Sequence, residues 1–257
     1  MKTATTVTKL CRVLEQFQER PSFGITDLAR RTELLPSDVH RILTSLRVFG
    51  YIEQDAESKK YRLGFSLLRL GLAAFRRNQL SEKAHPVLAS LSKKVGAATQ
   101  LAQLDGRDLK VFLVDRVNGP NDLAFADHLG GSARLHCTAL GKTIIANLSP
   151  DIAYSALEKN GLTRCTRHTI TDSSTLAREF EDIRRLGYAV DREEYSNGLC
   201  CLASPLRDNE GTVVGAISAS MPSSRFTGWD ESCLGAHLRD AAHHLSATLG
   251  RARAASM

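Results

Sequence analysis

Residues 25–55 read ITDLARRTELLPSDVHRILTSLRVFGYIEQD, and this stretch most narrows what the chain can fold into. Residues 25–32 predict a short helix with Thr26 as its N-cap. A brief turn over 33–36 leads into a longer helix over 37–49, which Gly50 ends. Before them, Val7, Leu10, Val13, Leu14 and Phe17 recur at helical spacing, so 6–19 reads as an amphipathic helix broken at Pro21-Ser22-Phe23-Gly24. After them, Tyr51-Ile52 and Tyr61-Arg62-Leu63 are strand-like around a polar turn and predict a hairpin.

Two helices joined by a tight turn can hold the second in a DNA major groove. Ala29 is small where the helices must cross closely, and Val39, Ile42 and Leu46 would bury the second helix. That leaves Ser37, Asp38, His40, Arg41, Thr44 and Ser45 on its outer face. Arg41 can fork onto guanine, His40 and Thr44 can touch base edges, and Ser37 and Thr26, near helix starts, suit phosphate. Lys59 and Lys60 at the hairpin tip can reach a flanking minor groove or phosphate. Glycine is common in such turns where Glu33 stands, so the turn is expected to use another conformation. The bland alternative is a helical pair that packs or binds protein behind a solvated face.

Charge favours the nucleic-acid reading. Residues 1–70 carry 12 Lys/Arg against 8 Asp/Glu, which places +4 of the chain's net +6 in its first quarter. With 42% hydrophobic and 24% charged residues the chain is composed as a globular protein, not a disordered one. Its N-terminus shows no apolar signal core and no apolar run reaches bilayer length, which points to the cytoplasm and to no membrane partner. Six cysteines form no CxxC pair and match neither a zinc module nor a disulfide scaffold, so no metal or cofactor is expected.

Residues 65–80 predict a connecting helix with Phe65, Leu68, Leu72 and Phe75 on one side. Beyond it, helices (83–95, 138–148, 151–159, 175–186, 230–249) mix with strands (99–104, 109–117, 188–190, 200–207, 212–220). Asp105-Gly106 predicts a hairpin turn between the first two strands. This order suggests an α+β sensor domain, not a doubly wound sheet.

Three stretches carry a resemblance over nearly the full length: LPSDVHRILTSLRVFGYIEQD with KKYRLGFSLLRLG, then LHCTALGKTIIANL, then DREEYSNGLCCLASPLRDNEGTVVGAISASMPSSRF. In that order they resemble the IclR family of bacterial transcriptional regulators. The resemblance implies a winged helix-turn-helix over 1–64, a linker helix over 65–81 and a GAF-like α/β effector-binding domain over 82–257. It also implies homodimers or homotetramers on palindromic operator DNA of catabolic operons, RNA polymerase as a partner for an activator, and a small organic or aromatic acid as effector. Carried over position by position, it puts the effector against Ala139, Leu140, Asp191, Leu199, Cys201, Ser218 and Ser220, with Phe125 and Ala133 in the wall. Leu140 departs from the family, where a small residue is frequent. The chemistry suits an acid: N–H groups at a helix start, two serines on one strand face, and an aspartate that can accept a hydroxyl or hold a proton.

Two other classes compete. His136, Cys137, Asp191 and Cys201 could form a Cys/His hydrolase device, but no nucleophile elbow, P-loop or dinucleotide fingerprint supports catalysis, and no catalytic residue is assigned. Cys200-Cys201 and His243-His244 invite a redox- or metal-responsive regulator, although adjacent cysteines pair poorly and adjacent residues on a helix point apart.

Overall fold

The computed structural model describes residues 5–75, 79–119, 129–228 and 230–254, and Phe125 lies outside them. The chain divides into two compact units at Asn78/Gln79.

In the first unit, α1 (Thr5–Gln16), α2 (Ile25–Thr32) and α3 (Pro36–Val48) surround a core of Val13, Phe17, Leu28, Ala29, Val39, Ile42, Leu43 and Leu46. The helical periodicity of the sequence is what supplies this shared apolar face. Strands β1 (Ile52–Gln54) and β2 (Tyr61–Leu63) form an antiparallel hairpin in which Ile52 faces Leu63. A bridge from Phe23 to Tyr61 ties the hairpin back to the start of α2. Helix α4 (Phe65–Phe75) ends the unit and buries none of its residues.

Two local expectations fail here. Gly24, not Thr26, is the N-cap of α2, and it caps without a side chain; Thr26 sits exposed one residue past the first helical position. Glu33 keeps the left-handed conformation (φ 56°, ψ 33°) that a glycine would take, with its N–H donating to the Ala29 carbonyl. The turn therefore uses the ordinary geometry of such turns, at the roughly 1–2 kcal/mol that a side chain costs there.

In the second unit, α5 (Gln79–Val95), β3 (Ala98–Asp105), β4 (Lys110–Val117), β5 (Ser132–Ala133), α6 (Ala139–Ala146), α7 (Pro150–Asn160), α8 (Ser173–Leu186), β6 (Ala189–Arg192), β7 (Leu199–Arg207), β8 (Val213–Pro222), α9 (Ser223–Phe226) and α10 (Glu231–Ala254) follow in order. The strands make one antiparallel six-stranded sheet, ordered β5-β4-β3-β8-β7-β6. The β3–β4 connection is a four-residue loop with Leu109 left-handed at φ 53°, longer than the tight Asp105-Gly106 turn that the sequence suggests.

Strand alternation sorts the sheet into two faces. Leu202, Leu206, Ile217 and Ala219 pack with Ala84, Leu88 and Leu91 of α5 and with Leu234 and Leu238 of α10. Ala203 and Ala216 pack on the other face with Leu140, Ile144 and Ile145 of α6, Phe180 of α8 and Ala156 of α7. Every residue of α6 is buried, so this helix is sandwiched rather than surface-bound. No helix among the described residues is long and apolar enough to cross a membrane.

Candidate functional site

The first candidate site is the outer face of α3. Ser37, His40, Arg41 and Ser45 are exposed and Asp38 and Thr44 half-buried, while Val39, Ile42, Leu43 and Leu46 form the inner face. Asp38 is engaged: Lys9 donates to it at 2.6 Å and Arg41 at 3.2 Å, and the Lys9 ammonium holds its carboxyl below the usual range. Asp38 therefore steadies Arg41 as well as fixing α1 on α3. Ser45 donates to the Arg41 carbonyl at 2.9 Å. At the hairpin tip Asp55 accepts from the Ser58 N–H and hydroxyl, and Gln54 donates to the Lys59 carbonyl at 3.0 Å. These bonds shape the turn that leaves Lys59 and Lys60 exposed.

The second site is a cavity of about 140 Å³ in the C-terminal unit. Seven of the sequence-derived effector residues line it: Ala133, Ala139, Leu140, Asp191, Leu199, Cys201 and Ser218. Ser220 shares the face of Ser218 but is not among the lining residues; it lies farther along β8, opposite Ala98 and Cys201. Thr138, first of the helix-start residues 138–140, lines it too; the sequence reading missed Gln100, Leu113 and Tyr195, with Gly131 and Ser132 at β5. Gln100 could have been noticed as a polar residue in the apolar run ATQLAQL.

The lining combines an apolar wall with hydrogen-bonding groups. Ser218 donates to Gln100 at 3.3 Å across β3 and β8. Thr138 caps α6 by accepting from the Gly141 N–H at 3.0 Å. The helix start leaves the Ala139 and Leu140 N–H groups without intrahelical acceptors, and the dipole there favours an anion. Asp191 is 1% exposed and accepts through Oδ1 from the Glu194 and Tyr195 N–H groups, at 2.7 and 3.3 Å. Burial, and then the Glu194 carboxylate, push its carboxyl up to about 7. A carboxyl with that affinity for protons is a donor as well as an acceptor near neutrality.

Behind the cavity lies a charged cluster that the sequence reading also missed. The Lys142 ammonium is wholly buried and donates to Glu194 at 2.6 Å, Glu179 at 2.8 Å and the Val190 carbonyl at 2.6 Å. The signal was a lone lysine inside the apolar helix ALGKTIIA. Three acceptors match the three N–H bonds of an ammonium. Glu194 also keeps one buried oxygen, Oε2, without a hydrogen-bond partner among the described residues.

The groups that suggested a hydrolase or a Cys200-Cys201 redox pair are engaged, tuned or placed against those roles. His136 is buried against the Thr163 carbonyl at 3.0 Å, and burial lowers its affinity for protons. Cys137 lies 3.7 Å from Cys165, and burial raises its thiol, the opposite of an activated nucleophile. Cys200 and Cys201 are consecutive residues of β7, paired on either side with β6 and β8, so they face opposite sides of the sheet and cannot act as one dithiol. No group of three or more His, Cys, Asp or Glu side chains among the described residues is arranged to hold a metal.

Comparisons with known proteins match both units of the chain. The profile of the IclR helix-turn-helix domain matches residues 6–56, and that of the bacterial transcriptional regulator IclR C-terminal region matches residues 72–247. The HTH-type transcriptional regulator KdgR of Escherichia coli is 30% identical over 246 residues, covering 96% of this chain and 93% of its own. A crystal structure of an IclR regulator from Silicibacter is 25% identical with a TM-score of 0.83, covering 95% of this chain and 96% of that one. An IclR homolog from Microbacterium hydrocarbonoxydans, solved with 4-hydroxybenzoate, is 26% identical with a TM-score of 0.80, covering 95% and 99%. These matched families are transcriptional regulators and not enzymes. With a helix-turn-helix unit followed by an effector-type domain, and a relative aligned over 96% of the chain, the chain is a DNA-binding transcriptional regulator of the IclR family.

Proposed function

We propose that the protein regulates a catabolic operon from the cytoplasm, binding a palindromic operator through α3 and the hairpin and a small organic or aromatic acid in the C-terminal cavity. The observation that carries the acid is the cavity itself: helix-start N–H groups, a protonatable Asp191 and Ser218 sit beside Leu113, Leu140 and Leu199. Its volume is close to the ~150 Å³ of a void that holds one benzene ring, so the acid is of single-ring size or smaller. That the Microbacterium relative was solved with 4-hydroxybenzoate supports the class, not the compound.

On the DNA side, Arg41 supplies base readout, His40 and Thr44 flank it, and Ser37, Ser45 and Thr26 serve phosphate with Lys59 and Lys60. Arg41→Ala should cost roughly 1–3 kcal/mol and relax preference at one base position. Lys60→Ala should weaken binding evenly across sequences and reduce the salt slope by about 1. Fluorescence anisotropy on a selected operator measures both; two variants that bind like the parent refute the interface.

One winged unit reads too few base pairs to select a promoter, so the protein acts as a homodimer or homotetramer, with RNA polymerase as a partner where it activates. Support comes from α4, the linker, whose Phe65, Leu68, Leu70, Leu72 and Phe75 are all exposed. Apolar exposure on this scale marks an interaction surface. Light scattering should give a dimer or larger; a monomer that holds operator at full affinity contradicts this.

A further inference from the structure

The buried thiol that precedes the α6 cap has a partner. Cys137 and Cys165 bring their sulfurs to 3.7 Å from segments 28 residues apart. Neither side is loosely placed. The Cys165 N–H donates to Thr169 Oγ1 at 3.0 Å, and Thr169 in turn donates to the Glu194 carbonyl at 2.7 Å. Thr166 donates to the Glu193 carbonyl at 2.6 Å, and His136, next to Cys137, meets the Thr163 carbonyl at 3.0 Å. The loop is thus held on one flank to the turn before α6, through His136, and on the other to the Glu193 and Glu194 carbonyls after β6.

We propose that Cys137 and Cys165 form a thiol–disulfide site, oxidised by a hydroperoxide, that locks the 163–169 loop to the start of α6 at the edge of the cavity. Cys165 is half-buried and meets the oxidant; Cys137 is fully buried and resolves. The Cys165 sulfur, as thiolate, attacks one oxygen of the hydroperoxide. The O–O bond breaks, the leaving oxyanion takes up the thiol proton as an alcohol (water for hydrogen peroxide), and Cys165 becomes a sulfenic acid. The Cys137 sulfur then attacks the Cys165 sulfur. The S–O bond breaks, and hydroxide leaves with the Cys137 proton as water. Two thiols and one hydroperoxide give one disulfide, one alcohol and one water, with two electrons passed to the peroxide.

The division of labour follows from the surroundings. Burial, and then the neighbouring Cys165, push the Cys137 thiol far up, which keeps it protonated and unfit to meet peroxide first. The bond requires the sulfurs to close to about 2.05 Å. That pull falls on residues 135–138, whose last member, Thr138, both caps α6 and lines the cavity.

The test is chemical and does not require the effector. The full chain is treated with stoichiometric hydrogen peroxide, alkylated, digested and analysed by mass spectrometry. The parent is expected to lose two of its six thiols and yield one cross-linked peptide joining Cys137 to Cys165, reversed by dithiothreitol. Cys165→Ser should leave Cys137 a free thiol. Cys137→Ala, which keeps a small apolar group in the core, should leave Cys165 as a sulfenic acid that dimedone traps. Peroxide that consumes exposed Cys11 and Cys233 while Cys137 and Cys165 remain thiols overturns the proposal. So does a disulfide from Cys165 to any other cysteine.

Discussion

Lys142→Met should destabilise the C-terminal domain by about 3–5 kcal/mol at neutral pH, because it removes one partner of a buried ionic cluster and strands the other. The parent ammonium satisfies Glu194, Glu179 and the Val190 carbonyl at once. Without it Glu194, buried and already held above its usual range by desolvation, has no counter-charge. Glu179, nearer solvent, can be hydrated. The cost should shrink as pH falls, since protonating Glu194 removes the stranded charge. Urea unfolding of parent and variant at pH 7.5 and pH 5 measures this. A loss below about 1 kcal/mol at pH 7.5, or one that grows on acidification, would show that the cluster is not a buried ion network.

Asp191→Asn should act in the other direction. A carboxyl raised from 3.8 to about 7 by burial holds its proton in the folded chain while the unfolded chain releases it. The contribution of Asp191 to the parent's stability therefore falls as pH rises from about 4 to about 7, by roughly 1.4 kcal/mol per pH unit, and then levels. This is the reverse of a salt-bridged carboxylate, whose contribution is lost on acidification. Asparagine keeps an oxygen for the Glu194 and Tyr195 N–H groups and has no proton to lose. The variant should match the parent near pH 4 and exceed it by about 4 kcal/mol at pH 8. The same proton governs the ligand. A neutral Asp191 donates to a carboxylate, an ionised one repels it, so acid binding by the parent should weaken above pH 7 while that of Asp191→Asn stays level. A stability difference between Asp191→Asn and the parent that stays flat between pH 4 and pH 7 would refute the assignment.

What the sequence could show depended on how local the information is. The helices of the DNA-binding unit were legible because Val13, Val39, Ile42 and Leu46 repeat at the helical period, and the hairpin because its strands flank a polar turn. Elements such as β5, of two residues, and α9, of four, are too short to leave a period. The Thr26 cap failed because the chain enters α2 earlier, at Gly24, held by the Phe23–Tyr61 bridge that only the folded hairpin supplies. In the cavity, Ala139, Asp191, Cys201 and Ser218 came from resemblance, position by position. Gln100 and Leu113 enter through register: β3 sets Gln100 beside Ser218, and β4 sets Leu113 beside Ala102. Register is a long-range property, and it also carries Ser220 past the lining residues toward Ala98.

The most direct test of acid sensing is the thermal stability of the full chain against a panel of small carboxylic acids, 4-hydroxybenzoate included, beside the matching alcohols and amides. At a hundredfold excess over its dissociation constant an acid should stabilise the parent by about 2.7 kcal/mol. Ser218→Ala should shift that response to higher concentration, and the neutral analogues should give little. An acid that stabilises Ser218→Ala and Asp191→Asn as well as the parent at every pH, or a panel in which no acid stabilises the parent, would contradict an acid-binding site in this cavity.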